Sequence, residues 1–180
     1  MRCSTSAGRV ALLASLLAGC AAVNLPPAGQ LDVRHAALVE RAGGTVLALA
    51  LDCRLSGPMR DALDHGIPVT FIVTVQAGRG PGRARASERV EMRYFPLSRR
   101  YRLLLPDTAE SRSFAVASAL VAALGAVSLP LPPEFATLPD GTPLAVDVRV
   151  DPATWPGALR LPALFEPAWR LSAATWHGQT

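Results

Sequence analysis

From Leu31 onward apolar and polar residues alternate with a period of two, the pattern of strands that bury one face and wet the other. Leu31, Val33 and Ala37 begin a first strand, which turns at Gly43-Gly44. Leu47, Leu49, Leu51, Cys53 and Leu55 line one face of a second, and Ile67, Val69, Phe71, Val73 and Val75 line a third. Val90, Met92 and Tyr94 face inward on a fourth, with Arg89, Glu91 and Arg93 facing out. After Pro96, the run Leu97 to Leu105 pairs back as a hairpin. Leu144, Val146, Val148 and Val150 make a further amphipathic strand, and Trp169 to Trp176 the last.

Two segments break the period. Ser56-Gly57-Pro58 opens a short helix, with Ser56 as its N-cap, and Gly66 closes it. Ala115 to Leu124 is a small-residue helix that ends at Gly125. A Pro-rich stretch over 129–143 contains the turn Pro139-Asp140-Gly141. Pro68 and Pro143 sit near strand starts, where a missing N–H does least harm. About seven strands and two short helices predict an α+β, mainly β fold: an antiparallel β-sandwich in one domain over 31–177.

The first residues follow another pattern. Arg2 and Arg9 precede an uncharged apolar run, Val10 to Leu17, which reads as a secretory signal over 1–19. The run is far short of the ~20 apolar residues that cross a bilayer. It ends Leu17-Ala18-Gly19-Cys20, which resembles a bacterial lipobox. Small residues at Ala18 and Gly19 let a signal peptidase close on the backbone, and the Cys20 thiol takes a diacylglycerol. Two or more acyl chains anchor a protein stably where one does not. The alternative is an ordinary signal peptide cut near Ala21 or Ala22. Residues 20–30 then form a flexible tether, and ten extended residues reach at most ~35 Å. Ala21 stands where an Asp would retain an enteric lipoprotein at the inner membrane, which favours an outer-membrane anchor facing the periplasm.

Composition narrows the chemistry. The chain carries a formal net charge of +4, and all 18 of its Lys+Arg residues are Arg. Without lysine there is no Walker A phosphate loop, no Schiff base and no lysine general base. Cys3 leaves with the signal and Cys20 is acylated, so Cys53 is the sole thiol and no intrachain disulfide can form. Its place in the leucine row makes Cys53 a buried small hydrophobe rather than a reactive thiol.

Asp61, Asp64 and His65 lie at helical spacing as a partial metal site, but with no third ligand indicated they read as a solvated helix face. No metal or cofactor is implied. There is no G-x-S-x-G, and His35 and His177, near the two ends of the domain, suggest no triad, so the domain is expected to be noncatalytic. Trp155, Trp169 and Trp176 could form a binding platform; core packing is the plainer reading, above all for Trp169. The outstanding feature is basic. Arg79, Arg83, Arg85, Arg89, Arg93, Arg99, Arg100 and Arg102 fall within one predicted hairpin against Glu88 and Glu91, a local +6. Such a patch suits anionic lipid, lipopolysaccharide or an acidic envelope protein. Nucleic acid is absent from that compartment. The plain alternative is a solvated hairpin whose charges guard an edge.

An ordered set of segments resembles the bacterial domain-of-unknown-function 4390 family. The set begins with Ala62-Leu63-Asp64-His65-Gly66-Ile67-Pro68-Val69-Thr70-Phe71 and Pro96-Leu97-Ser98-Arg99-Arg100-Tyr101-Arg102-Leu103. It continues with Ser113-Phe114-Ala115 leading to Leu124, then Val148-Arg149-Val150-Asp151 through Trp169-Arg170-Leu171-Ser172 and Trp176. The chain departs from that pattern at Arg79-Gly80-Pro81-Gly82-Arg83, where an aromatic is usual, and in its Ala-rich second helix. The resemblance implies an exported envelope protein and assigns no catalytic residues.

The combined expectation is a lipid-anchored, noncatalytic module that binds an envelope protein or anionic component through the arginine hairpin. The alternative is a carrier that holds an apolar or lipid ligand in an elongated cavity between the sheets. A Cys20→Ser chain should lose acyl labelling and fractionate as a soluble periplasmic protein; continued membrane association would contradict the lipobox reading.

Overall fold

The computed structural model describes residues 28–106 and 111–180. The expected signal, Cys20 and most of the tether precede the described residues. Among the described residues nine strands, all paired antiparallel, form two sheets. The smaller holds β1 (Gln30–Arg41), β2 (Gly44–Arg54) and β7 (Val127–Pro130), in the order β1-β2-β7. The larger holds β3 (Val69–Ala77), β4 (Ala84–Phe95), β5 (Arg100–Leu104), β6 (Arg112–Phe114), β8 (Pro143–Val150) and β9 (Trp176–Gln179). Its order is β6-β5-β4-β3-β8-β9. Helices α1 (Gly57–Asp64), α2 (Ala117–Ala122) and α3 (Gly157–Phe165) complete the fold.

The period-two rows do what their pattern demands. Leu47, Leu49 and Leu51 of β2, Phe71, Val73 and Val75 of β3, and Leu144, Val146 and Val148 of β8 are all buried in one apolar core. The smaller sheet covers only part of the larger. β1 lies along β8 and β9, while α1 packs on β4 and α2 on β5 and β6. The helices therefore fill the width that three strands cannot.

Helix α1 links the sheets, and its ends are set by side-chain chemistry. The Ser56 hydroxyl accepts from the Met59 N–H at 3.3 Å and donates to the Ala168 carbonyl at 2.5 Å. One residue thus caps the helix and ties it to the Pro167–Trp169 turn. Gly66 takes φ 82°, and the Ile67 and Gly66 N–H groups return to Ala62 and Leu63, a Schellman stop that a left-handed glycine makes easy.

Four local readings change. Arg34 is an extra residue in β1, between Val33↔Leu51 and His35↔Ala50, so Ala36 rather than Ala37 is buried. The guanidinium of Arg34 bonds Asp52 across the strand pair. The β4–β5 connection is a four-residue turn, Pro96–Arg99, so pairing starts at Arg100 and Leu97 is not in a strand. The expected last strand is broken. Arg149 pairs with Ser172, but Val146 pairs with Trp176, three steps on one chain against four on the other. The regular strand β9 therefore begins at Trp176. Finally α3, with Pro162 inside it, carries no clear amphipathic period in the sequence and forms beside the two flanking turns.

Phe71 is fully buried and Leu97 fully exposed. Phe71→Ala should lower the unfolding free energy by about 3–5 kcal/mol, and Leu97→Ala by less than ~0.5 kcal/mol. Denaturant titration reads both, and equal losses would contradict this core.

Candidate functional site

Strand pairing turns the sequence's arginine cluster into a stripe. On β4 the outward positions are Arg85, Ser87, Arg89, Glu91, Arg93 and Phe95. Arg93 stands directly opposite Arg102 of β5, and Phe95 opposite Arg100. Two like charges face to face are unfavourable in a sheet. Their neighbours offset this: Glu91 lies 3.0 Å from Arg93 Nε, and the Arg102 guanidinium sits 5.0 Å from the Phe95 ring centroid. Arg100 Nε donates to Ser113 on β6 at 3.1 Å.

The stripe is long. The 12 residues of β4 extend about 36 Å, so the eight predicted arginines do not form one compact patch. Arg79, Arg83 and Arg85 lie at one end, where Arg83 Nη1 donates to Gln76 at 2.9 Å. Arg93, Arg99, Arg100 and Arg102 lie at the other, with Arg89 between. Arg99 holds the turn with φ 50°, a conformation that costs a non-glycine residue about 1 kcal/mol.

Register also changes the list of charges on this face. Glu88 pairs with the fully buried Val73 and so belongs to the opposite side. Strand β8 contributes Arg149, opposite Ile72, and Asp147, opposite Thr74. Asp151 follows it and lies 3.9 Å from Arg89. Sequence reading missed these three because β3 and β8 are far apart in the chain. Arg85, Arg89, Arg93, Arg100, Arg102 and Arg149 stand against Glu91, Asp147 and Asp151. Six against three leaves the face at +3. A shallow groove of about 300 Å³ runs between Thr74, Gln76, Arg85, Asp147, Arg149 and Thr175. The buried Thr70 hydroxyl at the near end of β3 has no hydrogen-bond partner among the described residues.

The other candidates disperse. His65 Nδ1 lies 2.7 Å from the Asp61 carbonyl, and Asp64 accepts from the Tyr101 hydroxyl at 2.7 Å. No group of three His, Cys, Asp or Glu residues gathers as a metal site among the described residues. Trp155 and Trp169 are buried and meet edge to face at 5.1 Å, so they are core rather than platform. Trp176 is partly exposed and lies 6.3 Å from His35. Among the described residues no helix is long and apolar enough to cross a membrane.

The profile described as domain of unknown function (DUF4390) matches residues 28–179. The chain belongs to the DUF4390 family. No curated protein and no solved structure matches it.

This DUF4390 domain has a second recess, of about 410 Å³, between the end of β2 and α2. Cys53, Leu55, Ala117, Val121 and Ala122 give it apolar walls, and Arg54 and Arg60 add guanidiniums. Cys53 is thus half-buried in a groove wall rather than sealed in the core. Burial, and then the Asp52 carboxylate, push its thiol up to about 12. With Cys20 acylated or replaced, labelling of Cys53 by a thiol reagent at pH 8 should run about 10³-fold slower in the native protein than in urea. Equal rates would place Cys53 in an exposed, ordinary environment.

Proposed function

We propose that this domain is an exported, lipid-anchored, noncatalytic module of the bacterial envelope that holds an anionic partner along its arginine stripe. The observation that carries the reading is the register of β4 and β5. It aligns five of the eight predicted arginines on one sheet face, and the pairing of β3 with β8 adds Arg149. The groove among Thr74, Gln76, Arg85 and Arg149 gives that face relief and hydrogen-bonding groups as well as charge. Long-range attraction between such a stripe and an acidic partner raises the association rate and weakens with salt. The anchor at Cys20 and a periplasm-facing position, with the outer membrane favoured, belong to the same reading.

The carrier reading fares worse on packing. It needs an open channel between the sheets, yet Leu47, Phe71, Val73, Val75, Val146 and Val148 each have no accessible surface. A void able to admit even one water would expose them.

Charge reversal tests the stripe. Arg83, Arg85, Arg89 and Arg93 replaced together by Glu should abolish salt-sensitive binding to envelope extracts while leaving thermal unfolding near that of the parent. Binding that survives the reversal at low salt would contradict this function.

A further inference from the structure

Exposed apolar side chains are unevenly distributed over this molecule. Among the described residues the large hydrophobic side chains open to solvent are Val39, Leu97, Val116, Leu161 and Phe165. Four of the five gather at the end of the sandwich that α1 closes. Leu97, 104 % exposed, is at the β4–β5 turn, and Gly66 at the end of α1 abuts Tyr94 and Pro96 of that hairpin. Val116, 54 % exposed, caps α2, whose Ala117 and Val121 share a groove with Cys53, Leu55 and Arg60. Leu161 and Phe165, 64 % and 78 % exposed, are one turn apart on α3. Two bonds hold that region to α1 and its exit, from Ser56 to the Ala168 carbonyl and from Trp155 Nε1 to the Pro68 carbonyl. Val39 is elsewhere, beside the β1–β2 turn.

The chain also enters at this end. Gln30 pairs with Arg54 at the last rung of β1 and β2, and Gly29 lies against Arg54 and Ser56. Gln30 is ten positions after Cys20, a span of at most ~35 Å. Cationic groups surround the apolar ones: Arg54 and Arg60 at the groove, Arg99 and Arg100 at the turn, Arg160 and Arg170 around α3. The carboxylates near this end among the described residues include Asp52, Asp61, Asp64, Glu91, Asp151 and Glu166; Asp52 is engaged by Arg34, Asp64 by Tyr101 and Glu91 by Arg93.

We propose that this end of the sandwich is a membrane-contact surface. Leu97, Val116, Leu161 and Phe165 enter the interfacial zone of an anionic bilayer, and the arginines around them hold lipid phosphates. Four separate apolar projections in a cationic surround suit a fluid bilayer, where each finds its own depth. A folded protein partner would call for one contiguous apolar patch. The biological setting rests on the exported, anchored reading, but the contact itself needs no acyl chain. Standing on this end, the domain carries Arg79, Arg83 and Arg85 about 36 Å from the turn, several screening lengths beyond the lipid charge.

The test uses the mature chain from position 20 with Cys20→Ser, so that no acyl group contributes. It is sedimented with vesicles of phosphatidylglycerol and phosphatidylethanolamine, and separately with phosphatidylcholine vesicles. The parent should bind the anionic vesicles and bind phosphatidylcholine at least about tenfold more weakly. Leu97→Asp with Phe165→Asp should lower anionic-vesicle binding about tenfold or more, and Leu97→Trp should preserve or raise it. Both side chains are exposed, and an unchanged thermal midpoint checks that the fold is intact. Arg85→Glu with Arg89→Glu should leave vesicle binding near the parent level, because Arg85 and Arg89 stand about 33 and about 20 Å along β4 from Phe95, two or more screening lengths from the lipid. Failure of the parent to bind overturns the proposal, as does parent-level binding by the double Asp variant. If the Arg85 and Arg89 variant alone loses vesicle binding, lipid meets the sheet face instead. The end-on contact is then wrong while the stripe's function stands.

Discussion

A six-stranded sheet must bury one face, and among the described residues the sheet that covers it has three strands. That mismatch organises the molecule. The inward rows of β3, β4 and β8 stay dry only because α1 and α2 fill what β1, β2 and β7 leave open. Helix α1 is central to this arrangement. It carries the chain from one sheet to the other, packs on β4, and is fixed at its start by a hydroxyl bonded both to its own backbone and to the turn after α3. The connections that meet around it make the two ends of the sandwich unlike. One end carries the β1–β2 turn, the loop from β3 to β4 and the Pro-rich connection from β7 to β8, while the other gathers helices, the chain entry and four of the five exposed large apolar side chains.

The same requirement leaves the second face of the large sheet wet. Its outward positions are taken by residues with long apolar stems and charged heads, which shield the strands and still reach water. The Arg102 guanidinium over Phe95 and the Arg93–Glu91 pair let like charges sit side by side. Arg149 and Asp147 extend the polar surface across β3. A sheet face built this way has an aqueous, salt-sensitive affinity. The α1 end combines apolar side chains with arginine, the composition of an interfacial surface.

Much of the sandwich was legible because its long strands bury one face and therefore alternate. The rows on β2, β3, β4 and β8 were visible for that reason. Arg34 was not, since one inserted residue reverses the alternation without leaving a compositional trace. The strands β6, β7 and β9 are three or four residues long, too short to show a period. For the candidate site, the outward arginines of β4 followed directly from its alternation. The removal of Glu88 to the other face followed from it as well, though the charge count by sequence window hid it. Arg149, Asp147 and Asp151 join the face through pairing of strands some seventy residues apart, which local pattern cannot encode. Leu97 looked like the start of a strand because it is apolar; only the turn from Pro96 to Arg99 shows it to be an exposed tip.

Sheet face and sandwich end make different demands on orientation, and orientation is the central claim. Spin labels at Ser98, on the turn, and at Ser87, midway along the stripe, would read it directly on anionic bilayers. Both residues are exposed on the free protein. The account predicts that the label at Ser98 relaxes with lipid-soluble oxygen, while the label at Ser87 relaxes with a water-soluble nickel reagent. Equal lipid exposure at the two positions, or none at Ser98, would contradict a domain that stands on its α1 end.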